Sequence, residues 1–91
     1  MTNKLNITPE AERDIFAITA NIQQQHSEQA AKRALSIFKE QLKTLAEYPD
    51  RGREGACAGT YEAVMSGLPY IAIYEKKKQT INIVRILYGA D

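Results

Sequence analysis

The sequence predicts a single α+β domain spanning residues 1–91, with a helical hairpin packed on a small antiparallel sheet in the order β-α-α-β-β-β. Three observations predict it. Two long segments carry apolar residues at helical spacing and are separated by only a short polar joint. The remaining half holds short β-rich runs punctuated by glycine and proline. A chain of 91 residues lies below the usual size of a domain and leaves no room for a second core.

Lys4 to Ile7 reads as a short edge strand. Thr8-Pro9-Glu10 is a helix start: threonine caps, proline occupies the first turn where its missing N–H is not needed, and Glu10 and Glu12 suit the positive end of the helix dipole. Ala11, Ile15, Ile18 and Ile22 then share one face, and Gln23-Gln24-Gln25-His26 closes the helix. Ser27 caps a second helix. Its stripe is Ala31, Ala34/Leu35, Phe38, Leu42 and Leu45, with Lys32, Arg33, Lys39, Glu40 and Lys43 mostly outside it. A short joint between two such helices implies an antiparallel pair.

Tyr48-Pro49-Asp50 stops the second helix. Arg51 to Gly59 has three glycines and no periodicity, and reads as a loop. Thr60 to Met65 is a strand, Ser66-Gly67-Leu68-Pro69 a turn. Tyr70-Ile71-Ala72-Ile73-Tyr74 is almost continuously apolar, the pattern of a strand covered on both faces. Glu75-Lys76-Lys77-Lys78-Gln79 reads as a charged hairpin loop, and Thr80 to Tyr88 as the last strand. Connections this short join antiparallel neighbours.

Composition narrows the function. The apolar fraction of 44% supports a core, and the formal charge of +1 provides no global field toward DNA or an anionic membrane. Cys57 is the sole cysteine and His26 the sole histidine, so neither a disulfide nor a Cys/His zinc set is expected, and no metal. There is no phosphate-binding loop, dinucleotide fingerprint or zinc-protease motif, so no cofactor is expected. The polar N-terminus has no signal-like apolar region and no segment is long enough to span a bilayer, so a cytoplasmic location is expected.

The chemistry-bearing candidates lie in the second half. Arg85 stands in the apolar run Val84-Arg85-Ile86-Leu87-Tyr88-Gly89. By strict alternation it shares a face with Ile81, Ile83 and Leu87. A charge in such company needs a partner or a cleft. An ion pair with Glu62 of an adjacent strand is one reading, a β-bulge turning Arg85 to solvent another, and anion binding the third. Arg51 and Arg53 flank Gly52 in the loop and suit phosphate or carboxylate. Equally, they suit plain solvation. Tyr61, Tyr70, Tyr74 and Tyr88 all fall in the strand region, as a binding floor or as packing at the core edge. His26 and Cys57 have no activating partner in view, and acid–base resources are thin.

These features together resemble the RelE/ParE toxin superfamily of bacterial type II toxin–antitoxin modules. The matching pieces, in order, are Thr8-Pro9-Glu10-Ala11-Glu12-Arg13-Asp14; Tyr48-Pro49 with Arg51-Gly52-Arg53 and Gly55; Gly59-Thr60 with Glu62; Gly67-Leu68-Pro69-Tyr70 with Ile73-Tyr74; and Ile83 to Ala90. The Arg51–Gly55 loop and the chain ending are more similar to the ParE branch, often described as plasmid stabilisation proteins. Two positions depart from the pattern. Tyr61 stands where arginine is usual, and Tyr88 where histidine often precedes the final glycine. The resemblance implies growth arrest through inhibition of DNA gyrase without catalysis, and neutralisation by a cognate antitoxin laid across apolar grooves. The RelE-like alternative is a ribosome-dependent mRNA endonuclease using Arg51, Arg53, Arg85 and Tyr88, but with the sequence stopping at Asp91, groups supplied by a longer tail are not expected. An inactive antitoxin-binding relative is the third option, and a homodimer through the hairpin remains open.

Overall fold

The computed structural model describes residues 3–89. Its elements are β1 (Lys4–Ile7), α1 (Pro9–Gln25), α2 (Glu28–Glu47), a 3-10 turn (Pro49–Arg51), β2 (Arg53–Glu54), β3 (Tyr61–Val64), β4 (Tyr70–Lys77) and β5 (Thr80–Tyr88). The helix boundaries follow from local chemistry. Thr8 Oγ1 accepts from the Ala11 N–H at 3.2 Å and Ser27 Oγ from the Ala30 N–H at 3.0 Å, each satisfying one of the orphan donors of a first turn.

The strands form one sheet in the order β1-β5-β4-β3-β2. Four strands are antiparallel neighbours as expected. The edge strand β1 instead pairs parallel with β5, Lys4 opposite Thr80 and Ile7 opposite Ile83. The helical hairpin lies between β1 and the rest of the sheet in sequence, and works as a crossover that returns the chain in the same direction. Part of the expected loop is also strand: Arg53 pairs with Glu62 and Glu54 with Tyr61. The charged hairpin is shorter than its composition suggests. Glu75, Lys76 and Lys77 pair with Asn82, Ile81 and Thr80, leaving Lys78 and Gln79 as the turn, with Lys78 at φ 41°.

Both helices cover one face of the sheet. Phe38, Leu42 and Leu45 of α2 and Ala11 of α1 meet Ala63, Ala72, Tyr74, Ile81, Ile83 and Ile86 in a single core. Ile15 and Ile18 pack partly against it. Phe16, outside the apolar stripe of α1, is 76% exposed. The other face of the sheet has no covering layer among the described residues. So the apolar run of β4 is buried on one side only: Ala72 and Tyr74 are buried beneath the helices, while Ile71 and Ile73 are half-buried on the outer side.

Candidate functional site

The register of the sheet decides which side chains share a surface. Between β4 and β5, Tyr74 opposes Ile83 but Ile73 opposes Arg85, so Val84 is the extra residue of a bulge. The bulge reverses the parity of β5. Ile81 and Ile83 point to the helices before it, Ile86 after it. Arg85 and Leu87 are thereby turned to the outer face, against the strict alternation that would put Arg85 with Ile81 and Ile83. The Thr8 hydroxyl lies within hydrogen-bonding distance of both the Ile83 and Val84 carbonyls, at 2.9 and 3.1 Å, which ties the bulge to the start of α1.

The expected Glu62–Arg85 ion pair is not formed. Arg85 donates from Nε and Nη2 to the two carboxylate oxygens of Asp14 on α1, at 2.7 and 3.1 Å. The same carboxylate accepts the Ile86 N–H at 2.9 Å. Pairing with β1 stops at Ile83, so this N–H lies on an open stretch of the β5 edge, and Asp14 takes the place of the absent strand. Its pKa is lowered, first by the Arg85 hydrogen bond and further by the Ile86 N–H and the nearby positive charge, against an opposing push from burial. Glu62 belongs instead to Arg53, its direct cross-strand neighbour, at 3.3 Å from Nε.

Arg51 plugs the opposite edge. Beyond the two residues of β2, the Val64 carbonyl is unpaired by strand, and Arg51 Nη2 donates to it at 2.9 Å; the Gln41 side chain of α2 stands 3.5 Å away. Arg51, Arg53, Glu62 and Val64 line one shallow depression. Arg53, Glu62, Ile73 and Arg85 form a continuous cross-strand row on the outer face. Arg53 and Arg85 nonetheless sit three strands apart, about 14 Å between backbones. Arg53 and Arg85 thus share a face without converging on one point, while Arg51 and Arg53 adjoin at the opposite edge.

The tyrosines lie on the other side. Tyr61 and Tyr74 are cross-strand partners, with ring centroids 5.7 Å apart, on the helix-facing side. Tyr70 packs between Phe38 and Tyr88, with centroids at 5.9 and 5.8 Å. Tyr88 is exposed at the end of that stack. Lys76 Nζ lies 4.2 Å over the Tyr61 ring and 2.8 Å from Asp50. Tyr74 is fully buried, which excludes it from a binding surface. Its hydroxyl donates to the Pro49 carbonyl at 2.6 Å and accepts the Gly52 N–H at 3.2 Å. Burial pushes its pKa up. This phenol is the strut that fixes the 49–53 segment, and hence Arg51 and Arg53. A Cβ at Gly52 would overlap both that hydroxyl and the Glu62 carbonyl, so only glycine fits.

Asp14, Gln41 and Asp50 are site residues that sequence reasoning did not single out. Each acts through a partner distant in the chain, and no local pattern points to it. Phe16 signalled itself only by falling outside its helix's stripe. It lines a groove of about 530 Å³ with Leu5 and Ile7 of β1, Ile15 of α1, and Leu35 and Leu42 of α2, with Glu12 and Lys39 also in the lining. Cys57 is exposed in its loop. No group of three metal-binding side chains occurs among the described residues, and no helix among them is long and apolar enough to cross a membrane.

Residues 5–91 match the family described as ParE toxin of type II toxin-antitoxin system, parDE. The fold is similar to a chain of the chromosomal ParDE system from P. aeruginosa, with TM-score 0.90, 24% identity and 98% of both chains covered. It is also similar to a chain of the RelBE2 toxin–antitoxin complex from Mycobacterium tuberculosis, with TM-score 0.69, 20% identity, and 100% of this chain and 95% of that one covered. A chain of the E. coli DinJ-YafQ complex aligns at TM-score 0.56 and 16% identity over 97% of this chain and 93% of its own. No curated protein matches the sequence.

Proposed function

The chain belongs to the ParE toxin family of type II toxin–antitoxin systems, and we propose that it arrests growth by binding DNA gyrase and is neutralised by a cognate antitoxin. The observation that carries this reading is the division of the candidate residues between two faces. A RelE-like mRNA endonuclease needs Arg51, Arg53, Arg85 and an orienting tyrosine around one scissile phosphate, within hydrogen-bond reach. Here Arg53 and Arg85 are on the outer face, each beside a carboxylate, and Tyr88 packs edge-to-face against Tyr70 on the other. That arrangement suits recognition of a surface better than stabilisation of one transition state.

The antitoxin is assigned to the groove of β1, α1 and α2. Its lining is mostly apolar with Glu12 and Lys39 among it, it runs beside an unpaired strand edge, and Phe16 stands exposed in it. An amphipathic segment laid there covers surface that costs the free toxin stability, and stabilises the fold by mass action.

The test is supercoiling and cleavage by purified gyrase with increasing toxin. Inhibition that an antitoxin relieves is the expected result. Unchanged gyrase at saturating toxin, together with new message ends in primer extension after induction, would replace this reading with the endonuclease. A chain that does not arrest growth in a host lacking the antitoxin would be an inactive relative.

A further inference from the structure

We propose that the outer face of the sheet, centred on Val64, Ile71 and Leu87 and flanked by Arg53 and Arg85, is a protein-docking surface. The partner it fits is an apolar patch bordered by carboxylates on the toxin's target. This rests on the reading that the toxin acts by binding a protein.

Val64, Ile71 and Leu87 are opposite one another across β3, β4 and β5, beside the row Glu62, Ile73 and Arg85. Val64 is 58% and Leu87 42% exposed, and Ile71 and Ile73 are half-buried. The sequence of β4 is that of a strand covered on both faces, yet the fold covers one. Contiguous exposed apolar residues on a small domain mark an interaction site.

The charges on this face are arranged for acidic groups. In both ion pairs the arginine is the exposed member: 68% for Arg53 against 22% for Glu62, and 48% for Arg85 against 17% for Asp14. The less exposed carboxylates, Glu62 on the neighbouring strand and Asp14 at the β5 edge, hold the two guanidinium groups in place. Arg53 is held through Nε alone, and among the described residues neither of its terminal nitrogens has a partner. The terminal Nη1 of Arg85 is likewise unengaged there. The remaining acid of the face, Glu75, lies 3.8 Å from Lys77. Arg53 thereby offers a two-nitrogen fork and Arg85 a single free nitrogen, donors that bind carboxylates or phosphates.

Two observations favour a protein over a nucleic acid. The centre between the arginines is aliphatic. The four strand tyrosines all lie on the helix-facing side, so this face has no ring on which a base can stack. The surface is also separate from the groove assigned to the antitoxin, which lies among the helices and the β1 edge.

The test compares Val64→Asp, Leu87→Asp and their combination with Gln24→Ala, at an exposed position of α1 outside both the outer face and the groove. Growth arrest is scored in a host without antitoxin. Purified proteins are melted by circular dichroism, then titrated with gyrase holoenzyme and with a single-stranded RNA oligonucleotide. The expected result is native-like melting, loss of arrest and gyrase affinity weakened roughly tenfold or more for the outer-face variants, while Gln24→Ala still arrests growth. Folded outer-face variants that bind gyrase and arrest growth like the parent overturn the surface but leave the gyrase reading intact. A parent that arrests growth without binding gyrase, with outer-face variants that do not arrest, removes gyrase and keeps the surface. Loss of RNA affinity and of message cleavage in place of protein binding overturns the choice of partner. If the aspartates prevent folding, Arg53→Ala, at an exposed side chain, decides between the same outcomes.

Discussion

Replacing Tyr74 by phenylalanine tests whether a buried phenol fixes the arginine-bearing segment. The ring stays in the core, so no cavity forms. What is lost is one donor to the Pro49 carbonyl at 2.6 Å and one acceptor for the Gly52 N–H at 3.2 Å, both partly buried. Each lost bond costs about 1 kcal/mol, somewhat more where the partner stays desolvated, giving a total of about 2 kcal/mol. For a domain of this size that lowers Tm by about 10 °C. Urea unfolding followed by circular dichroism should show a lower midpoint with an unchanged slope. A loss below about 0.5 kcal/mol would refute the strut. Gly52→Ala provides the second arm, because its methyl collides with the same hydroxyl. Alone it should cost about 2 kcal/mol. In the double variant the cost should be less than additive by at least about 0.5 kcal/mol, since removing the Tyr74 hydroxyl relieves one of the collisions.

Asp14→Asn should flatten the acid limb of the stability curve. The lowered pKa of Asp14 means its contribution is present above the unfolded value and is lost as pH falls through the folded one, so parent and variant should converge on acidification below about pH 4 in thermal melts across pH. Tyr74 acts at the other end: its raised pKa makes its contribution full below about pH 10 and lost above it, a limb that Tyr74→Phe should remove. Lys78→Gly should raise stability by about 0.5 kcal/mol, because Lys78 holds a left-handed φ of 41° that glycine adopts without the Cβ clash, offset by the entropy glycine adds to the unfolded chain. A neutral or lower midpoint in urea would contradict it.

Local chemistry by itself determined the two helices. Thr8, Pro9 and Ser27 act within a turn of themselves, and the stripe of α2 needs only the helical repeat to identify Phe38, Leu42 and Leu45 as core. The order and spacing of the motifs likewise carried the family. The sequence reading paired Glu62 with Arg85, and the strand register gave it Arg53 instead.

Tertiary structure decided the rest, since the decisive partners are far apart in sequence. Asp14 and Arg85 are separated by 71 positions, and nothing near either residue announces the other. The bulge at Val84 cannot be read from alternation, because one extra residue reverses every side chain after it. That reversal places Ile86 in the core and Arg85 on the outer face. The tyrosines fall on the helix side for the same reason of parity. A surface is a property of register, and register is fixed by pairing across the sheet.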